Sequence, residues 1–229
     1  MKNNSRDPIP LLSIGYSIVQ LSGIDNKQLS EDIIENKHLR LDDDPNQTGY
    51  EDTLLPDTVE SRKLLSKVYS EVRKVNSYLT ILDTSNFGQY DRFIKRSVRG
   101  KGVWGHILEP GQSTMYHEHD LTDIQRTRGH IDGISFVYYV TYPENSGDLV
   151  FCVETLKRRI MLPVRPLVGN IVLFPTYVPH LTLRNLSKEN RISVSGNFFP
   201  DPEKMEDFYK EIYEGRSNYF YYVGSYNDY

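Results

Sequence analysis

Short apolar runs separated by turn residues dominate the second half of the chain, from Val103 to Phe199. The runs are rich in β-branched and aromatic residues, and Gly, Pro and Asn stand between them, which is typical of β-strands. The predicted strands cover residues 103–108, 134–142, 148–153, 160–164, 170–174, 181–186 and 191–199. Many short strands at this spacing favour a sandwich or barrel over alternating strand–helix units.

The first hundred residues have a mixed pattern that predicts one strand and two helices. Residues 14–21 are predicted as a strand, residues 28–36 as a short helix, and the polar stretch 41–49 as a loop. Residues 57–60, Asp-Thr-Val-Glu, resemble a capping box that opens a second helix. Apolar residues then recur at three- and four-residue intervals, so this helix should lie with one face against a sheet.

The order of these elements predicts one mostly β domain with supporting helices at both ends. A closing helix should begin at Asp201, which is followed by a proline, and end at Gly215. We expect a single domain over residues 1–229, with an N-terminal support at 1–100, a β core at 103–199, and a C-terminal helix and tyrosine-rich tail at 200–229. The tail is expected either to pack on its own domain or to contact a partner or a second copy.

Composition narrows the possible partners and compartments. A length of 229 residues fits one β-rich domain, and the net charge of −4 argues against a nucleic-acid partner. The single cysteine, Cys152, excludes an intrachain disulfide and favours a reducing compartment. No apolar run is long enough for a membrane span, and the N-terminus lacks the apolar block of a signal peptide. We therefore expect a cytoplasmic protein, of undetermined oligomeric state.

Candidate chemistry begins with two histidines in the segment Tyr116-His117-Glu118-His119. In an extended segment, residues two apart project from the same face, so the two imidazoles could converge on one metal while Glu118 points away. A pair at this spacing is a weak motif by itself. It is strengthened by His180, which stands at the start of a later predicted strand, after a strand and a turn.

An arginine downstream supplies the second half of the predicted site. Arg191 lies on the last predicted strand, where Ser193 and Ser195 share its face. An arginine on an inward face requires an anionic partner, because an unpaired buried charge is very costly. A dicarboxylic acid would provide that partner through bidentate contacts with the guanidinium.

These segments, in this order, resemble the 2-oxoglutarate/Fe(II) oxygenases of the prolyl-hydroxylase-like superfamily, in particular a group with a paired His-x-His. The resemblance covers roughly residues 103–199. The matching segments are Gly111, His117 and His119, residues 135–140, residues 146–151, residues 173–180 and residues 191–197.

The resemblance implies a double-stranded β-helix and a specific set of roles. Fe(II) would be held by His117, His119 and His180, and O₂ would be the oxidant. The far carboxylate of 2-oxoglutarate would pair with Arg191. The residues implied to assist the cosubstrate are Ser193 or Ser195, and Tyr138 or Tyr139, of which Tyr139 is the favoured tyrosine. The implied reaction is oxidative decarboxylation to succinate and CO₂ coupled to hydroxylation of a C–H bond.

Two departures from the family pattern leave the ligand set open. Most relatives carry a carboxylate where this chain has His119, and Asp120 stands beside it. The segment 121–132 resembles an insertion, either a lid or a plain surface excursion. It also contains a literal His-x-Asp, His130-Ile131-Asp132, which could replace the first two ligands.

The sequence does not name the substrate, although a peptidyl or amino-acid side chain is favoured by the resemblance. Two other classes of protein stay open. One is a cupin-like metalloenzyme that uses the three histidines without 2-oxoglutarate. The other is a non-catalytic jelly-roll binding module, which would leave the three histidines without a shared purpose.

Overall fold

The computed structural model describes residues 15–37, 51–72, 103–119, 134–154 and 159–198, together with Lys74. These residues form ten strands and two helices: β1 Ser17–Gln20, α1 Asn26–Glu35, β2 Glu51–Leu54, α2 Val59–Val72, β3 Val103–Leu108, β4 Thr114–His117, β5 Ile134–Tyr139, β6 Leu149–Glu154, β7 Arg159–Val164, β8 Asn170–Pro175, β9 His180–Thr182 and β10 Arg191–Phe198. The predicted loop 41–49, the insertion 121–132, the closing helix and the tail lie outside the described residues. Among the described residues, no helix is long and apolar enough to cross a bilayer.

The strands form two antiparallel sheets. The major sheet has the order β1-β8-β5-β10-β3-β2, and the minor sheet has the order β4-β9-β6-β7. The prediction of a mostly β chain with few helices is confirmed, and every predicted strand of the second half is present. Strands β2 and β4 were not among the predicted strands, because both are short, with four residues each.

One face of the major sheet is covered by the two helices. Alternate strand residues such as Ile107, Ile192 and Val194 form a core cluster with buried helix residues such as Ile33 and Leu64. The predicted apolar face of α2 therefore lies against the sheet, and the buried face of α1 lies there as well. The approach is close, because a Cβ added at Gly105 of β3 would lie 2.9 Å from a methyl carbon of Ile33.

The N-terminus of α2 differs from the predicted capping box. Thr58, and not Asp57, precedes the helix, and its Oγ1 accepts a 3.3 Å hydrogen bond from the backbone N–H of Ser61. Glu60 accepts a 2.8 Å bond from the backbone N–H of Asp25, at the N-cap of α1. The glutamate thus ties the two helices together, which a local capping pattern does not predict.

The other face of the major sheet packs against the minor sheet. A second core cluster joins Tyr139 and Phe174 of the major sheet to Leu149 and Phe151 of the minor sheet. This face carries the polar residues singled out in the sequence, because Arg191 and Ser193 alternate along β10 with the helix-facing Ile192 and Val194. The space between the two sheets therefore contains the polar residues of the predicted site.

Gly147 adopts a conformation that other residues rarely take. Its φ is +90°, and an added Cβ would collide with the carbonyl oxygen of Leu183. We expect Gly147→Ala to lower the free energy of unfolding by about 3 kcal/mol or more, through strain and collision together. Gly111→Ala is the control, because its φ is +87° with no atom within 4 Å of the added Cβ. Gly111→Ala should lower the free energy of unfolding by about 1 kcal/mol. If urea unfolding showed equal losses for the two variants, the collision at Gly147 would be contradicted.

Candidate metal centre

Three histidines converge between the sheets at the junction of β4 and β9. His117 ends β4 and lies directly opposite His180, the first residue of β9, while His119 follows two residues beyond the strand. One nitrogen from each of the three rings lies within 4.8 Å of the others. The structure therefore brings together the three histidines that were predicted from the sequence as metal ligands.

An irregularity in β4 contributes to this convergence. Thr114 pairs with Thr182 and His117 with His180, so three residues of β4 span the distance covered by two residues of β9. In an unbroken strand, positions three apart face opposite sides. The register shift, typical of a β-bulge, allows both Thr114 and His117 to oppose residues of β9 that face the inter-sheet space.

Backbone carbonyls orient two of the rings. Nδ1 of His117 lies 2.8 Å from the carbonyl oxygen of Met115, and Nδ1 of His180 lies 2.9 Å from that of Val178. A carbonyl oxygen only accepts, so each Nδ1 carries a proton, and in the neutral ring Nε2 is the unprotonated nitrogen. Metal-binding histidines commonly show this arrangement, which holds the ring and selects the tautomer.

His119 is held differently. Its backbone N–H donates to the carbonyl oxygen of Thr176 at 3.1 Å, and its ring lies beside the indole of Trp104, with ring centroids 5.6 Å apart. Trp104 belongs to β3 of the major sheet. The third histidine, just past the end of β4, is therefore positioned by contacts to Trp104 of the major sheet and to the turn that follows β8.

The electrostatics of the cluster favour neutral imidazoles. Burial, and then the neighbouring His117, lower the pKa of His119 to about 3. Burial is also the main cause that holds the pKa of His180 well below its usual range, and the other two histidines add to it. At neutral pH these two rings are in the form that binds a metal cation.

Acid should destabilise the metal-free protein through these groups. Between the folded pKa of His119, about 3, and its ordinary value of 6.5, the unfolded chain binds more protons than the folded chain. The free energy of unfolding should therefore fall as pH is lowered from about 6.5 toward about 3, and His180 should add to the loss. Urea unfolding at a series of pH values measures this. In His119→Gln the free energy of unfolding should fall less steeply with decreasing pH. An unchanged slope would contradict the assignment of this acid sensitivity to His119.

Arg191 is buried between the sheets, with 2 % of its surface exposed. Its Nη1 donates to the carbonyl oxygen of Gly147 at 2.9 Å, and its Nη2 donates to Oγ1 of Thr182 at 3.4 Å. Its carbon Cζ lies 5.7 Å from the ring centroid of Tyr139, a cation–π distance. None of these partners is an anion, and its Nε has no hydrogen-bond partner among the described residues.

The residues beside Arg191 extend the polar surface. Ser193 lies between His106 of β3 and Tyr139 of β5 in the register of the major sheet, so the three side chains share one face. The Ser193 hydroxyl is buried and has no partner within the described chain. Burial is the main cause that raises the pKa of Tyr139 to about 12, so its hydroxyl keeps its proton.

The two neighbouring tyrosines are separated by the pleat. Tyr139 faces the inter-sheet space, whereas the hydroxyl of Tyr138 donates to Oδ1 of Asn26 on α1 at 2.7 Å. Of the two, the family resemblance favoured Tyr139 as the tyrosine near the predicted cosubstrate pocket. The structure places Tyr139 beside Arg191 and Tyr138 in the helix layer.

The histidine cluster and the residue that contacts Arg191 are one strand step apart, where one strand step means two residues along the same face of a strand. Thr182, which contacts Arg191, lies two residues after His180 on β9. Two residues of strand span about 6–7 Å. A short linear diacid of about that length could therefore reach from the guanidinium to the three histidines.

Several residues of this region were not anticipated from the sequence. Thr182 and Trp104 are brought to the site by strand pairing, and no local pattern distinguishes them. Thr176, in the turn after β8, was noted only as part of the family resemblance. The glycine of the Ser146-Gly147-Asp148 segment was noted only as part of the family resemblance, and its carbonyl proves to hold the guanidinium. The alternative ligands Asp120, His130 and Asp132 lie outside the described residues.

Comparison with known proteins finds matches among solved structures. No protein-family profile matches the chain, and no curated protein matches it in sequence. A Pseudomonas putida prolyl-4-hydroxylase matches in structure with a TM-score of 0.56 and 16% identity, over 82% of this chain and 94% of that one. A viral collagen prolyl hydroxylase from Paramecium bursaria Chlorella virus-1, solved as its 2OG complex, matches with a TM-score of 0.53 and 20% identity, over 81% and 96%.

At these identities the likeness is one of fold. The chain thus has the fold of the prolyl hydroxylases, as the sequence resemblance predicted, and it carries a triad of histidines at the junction of β4 and β9.

Proposed function

We propose that the protein is an Fe(II)- and 2-oxoglutarate-dependent oxygenase on a double-stranded β-helix, and that it hydroxylates a C–H bond of its substrate. One observation carries the proposal. Three converging histidines lie one strand step from a buried arginine that has no anionic hydrogen-bond partner among the described residues. A metal and a diacid together would satisfy both groups.

His117, His119 and His180 would hold the metal. The tautomers of His117 and His180 present Nε2 as the unprotonated nitrogen, and three imidazoles suit iron among other divalent ions. Three protein ligands leave coordination positions open for other molecules. His119 stands where a carboxylate is usual, so the three ligands would add no negative charge to the metal.

Arg191 and Ser193 would anchor the far carboxylate of 2-oxoglutarate. The unpartnered Nε of Arg191 and hydroxyl of Ser193 are donors that a buried carboxylate would satisfy. Thr182 and Gly147 hold the guanidinium in place, and the protonated hydroxyl of Tyr139 lies on the same face as Ser193. Because these donors are preorganised, little would have to rearrange when the diacid binds.

The bound iron, with 2-oxoglutarate and O₂, would supply the oxidising chemistry, in which the cosubstrate leaves as succinate and CO₂. The protein's residues orient the ligands, anchor the diacid and exclude water. Burial of Phe151, Phe174 and Tyr139 beside the site keeps that region dry. A peptidyl or amino-acid side chain is the substrate class we favour.

The second candidate is a metal enzyme that uses the three histidines without 2-oxoglutarate. His119 favours it, because a histidine replaces the carboxylate of the common iron triad. Arg191 argues against it, since a buried guanidinium without an anionic hydrogen-bond partner among the described residues has no evident role in such an enzyme. A non-catalytic binding module is less favoured still, because it gives the three histidines no shared purpose.

The decisive experiment is anaerobic addition of Fe(II) and then 2-oxoglutarate to the purified protein. The expected result is a visible charge-transfer band from a chelated 2-oxo acid, lost in His119→Ala and retained in His130→Ala. Loss in His130→Ala instead would move the ligands into the segment 121–132. Metal binding without the band would favour the second candidate, and absence of metal binding would favour the binding module.

The two serines of β10 should behave differently when replaced. Ser193→Ala removes a buried hydroxyl with no described partner, so the free energy of unfolding of the ligand-free protein should stay equal or rise. Its affinity for 2-oxoglutarate should fall about tenfold, the value of one hydrogen bond to a charged group. Ser195→Ala is the matched control, because Ser195 is half-buried and lies one step farther from Arg191. Equal losses of affinity would contradict the assignment of Ser193.

A further inference from the structure

A carboxylate lies near Arg191 and is held by the same residues that hold the guanidinium. The carbonyl oxygen of Gly147 accepts the 2.9 Å hydrogen bond from Nη1 of Arg191, and Asp148 is the next residue along the chain. The hydroxyl oxygen of Tyr142 lies 3.5 Å from that same carbonyl oxygen, and it donates a 2.6 Å hydrogen bond to Oδ1 of Asp148. Gly147 and Tyr142 therefore connect the carboxylate to the guanidinium.

Two tyrosine rings connect the same groups by a second route. The ring of Tyr142 meets the ring of Tyr139 edge to face, with centroids 5.5 Å apart, and Tyr139 lies beside the guanidinium of Arg191. Both phenols keep their protons, because burial is the main cause that raises the pKa of each. Burial lowers the pKa of Arg191, and three acidic neighbours, the two phenols and the Asp148 carboxylate, oppose that shift. Asp148 is the only carboxylate of the three.

The two charged groups differ in burial. Arg191 is fully buried, whereas Asp148 is half-buried. Between these two described residues there is no hydrogen bond or ion pair, so the carboxylate offsets the buried positive charge only in part. Its charge also acts on a second anion that binds to Arg191, because Coulomb interactions in a protein extend beyond contact distance.

We propose that Asp148 is the counter-charge of Arg191 in the ligand-free protein, and that it weakens the binding of 2-oxoglutarate by repelling the far carboxylate. This inference rests on the proposed function, because it takes the diacid as the ligand of Arg191. Before the diacid binds, Asp148 stabilises the buried guanidinium. Afterwards the same carboxylate, held in place by Tyr142, lies near a second negative charge. Asp148 then sets the concentration of 2-oxoglutarate that the protein requires.

Asp148→Asn tests the repulsion, because the amide oxygen still accepts the hydrogen bond from Tyr142 while the charge is removed. Calorimetric titration of the Co(II)-loaded protein should show that 2-oxoglutarate binds about fivefold more tightly to this variant than to the wild type. The probe 2-oxopentanoate has the same chain length and the same 2-oxo acid group but no far carboxylate. It should bind the variant and the wild type with equal affinity.

Glu144→Gln is the matched control for the loss of a negative charge. Glu144 is exposed and precedes Asp148 by four residues, and its charge does not act on Arg191. This variant should bind both probes as the wild type does. An unchanged or lower affinity for 2-oxoglutarate in Asp148→Asn would overturn the repulsion, and so would an equal gain of affinity for 2-oxopentanoate.

Urea unfolding of the protein without metal or ligand tests the counter-charge independently of the proposed function. Asp148→Asn should lower the midpoint of unfolding when Arg191 is present and leave it unchanged in the Arg191→Met background, where the charge to be offset is absent. Equal losses in the two backgrounds would overturn the counter-charge. If the metal-loaded wild type bound no 2-oxoglutarate, the proposed function would be wrong, and the unfolding measurements would still decide whether Asp148 balances Arg191.

Discussion

Arg191→Met should lower the affinity for 2-oxoglutarate by about a hundredfold or more, because a charged donor to a buried carboxylate is worth several kcal/mol. Metal affinity should change little, since Arg191 contacts Gly147 and Thr182 and none of the three histidines. The ligand-free variant should be as stable as the wild type or more stable, because methionine replaces a buried charge that has no anionic hydrogen-bond partner among the described residues. Calorimetric titration with 2-oxoglutarate and urea unfolding measure the two effects.

Arg191→Lys provides the matched control for this substitution. Lysine keeps the positive charge but loses the planar fork that donates to Gly147 and Thr182 at the same time. Its affinity for 2-oxoglutarate should lie between those of the wild type and Arg191→Met. If Arg191→Met bound the cosubstrate with unchanged affinity, the anchor would have to be assigned to another residue.

His180→Ala should lower metal affinity by more than about a hundredfold, since even residues that only support a ligand cost up to that factor. His180 is 4 % exposed and lies opposite His117, so no neighbouring side chain can readily take its place. The visible absorption of bound Co(II) is the measurement. The charge-transfer band of Fe(II) and 2-oxoglutarate should disappear in the same variant.

His106→Gln is the control for the loss of a buried histidine. His106 lies between the same two sheets, but its Nε2 is 3.4 Å from Oγ1 of Thr114 and it does not belong to the three-histidine cluster. This variant should bind Co(II) as the wild type does. Equal loss of metal in both variants would point to a general effect on folding and contradict the assignment of His180.

Strand positions, and the strand face on which several candidate-site residues lie, could be predicted because the signals are local. The alternation along β10 placed Arg191, Ser193 and Ser195 on one face, since the side-chain period of a strand is two residues. The same rule separated Tyr138 from Tyr139. It could not decide which of them faced the site, because that depends on which face of the sheet the helices cover.

Pairing between strands that are distant in the chain could not be predicted from local periodicity. The sequence predicted that His117 and His119 would share a face of one extended segment, whereas the structure has β4 ending at His117 with a register shift inside it. Thr182 and Gly147 became visible as supports of Arg191 only through contacts to β10. These contacts join residues 9 and 44 positions apart in the chain.

The sequence by itself therefore determined the strand-rich core, the apolar face of α2 and the chemical types available to the site, because periodicity and side-chain chemistry are properties of neighbouring residues. Tertiary structure alone decided that β4 and β9 bring three histidines together and that Trp104 lies beside His119. It also decided that Arg191 is buried one strand step away. Those placements follow from how two sheets pair and pack, and packing depends on the whole core and not on any one segment.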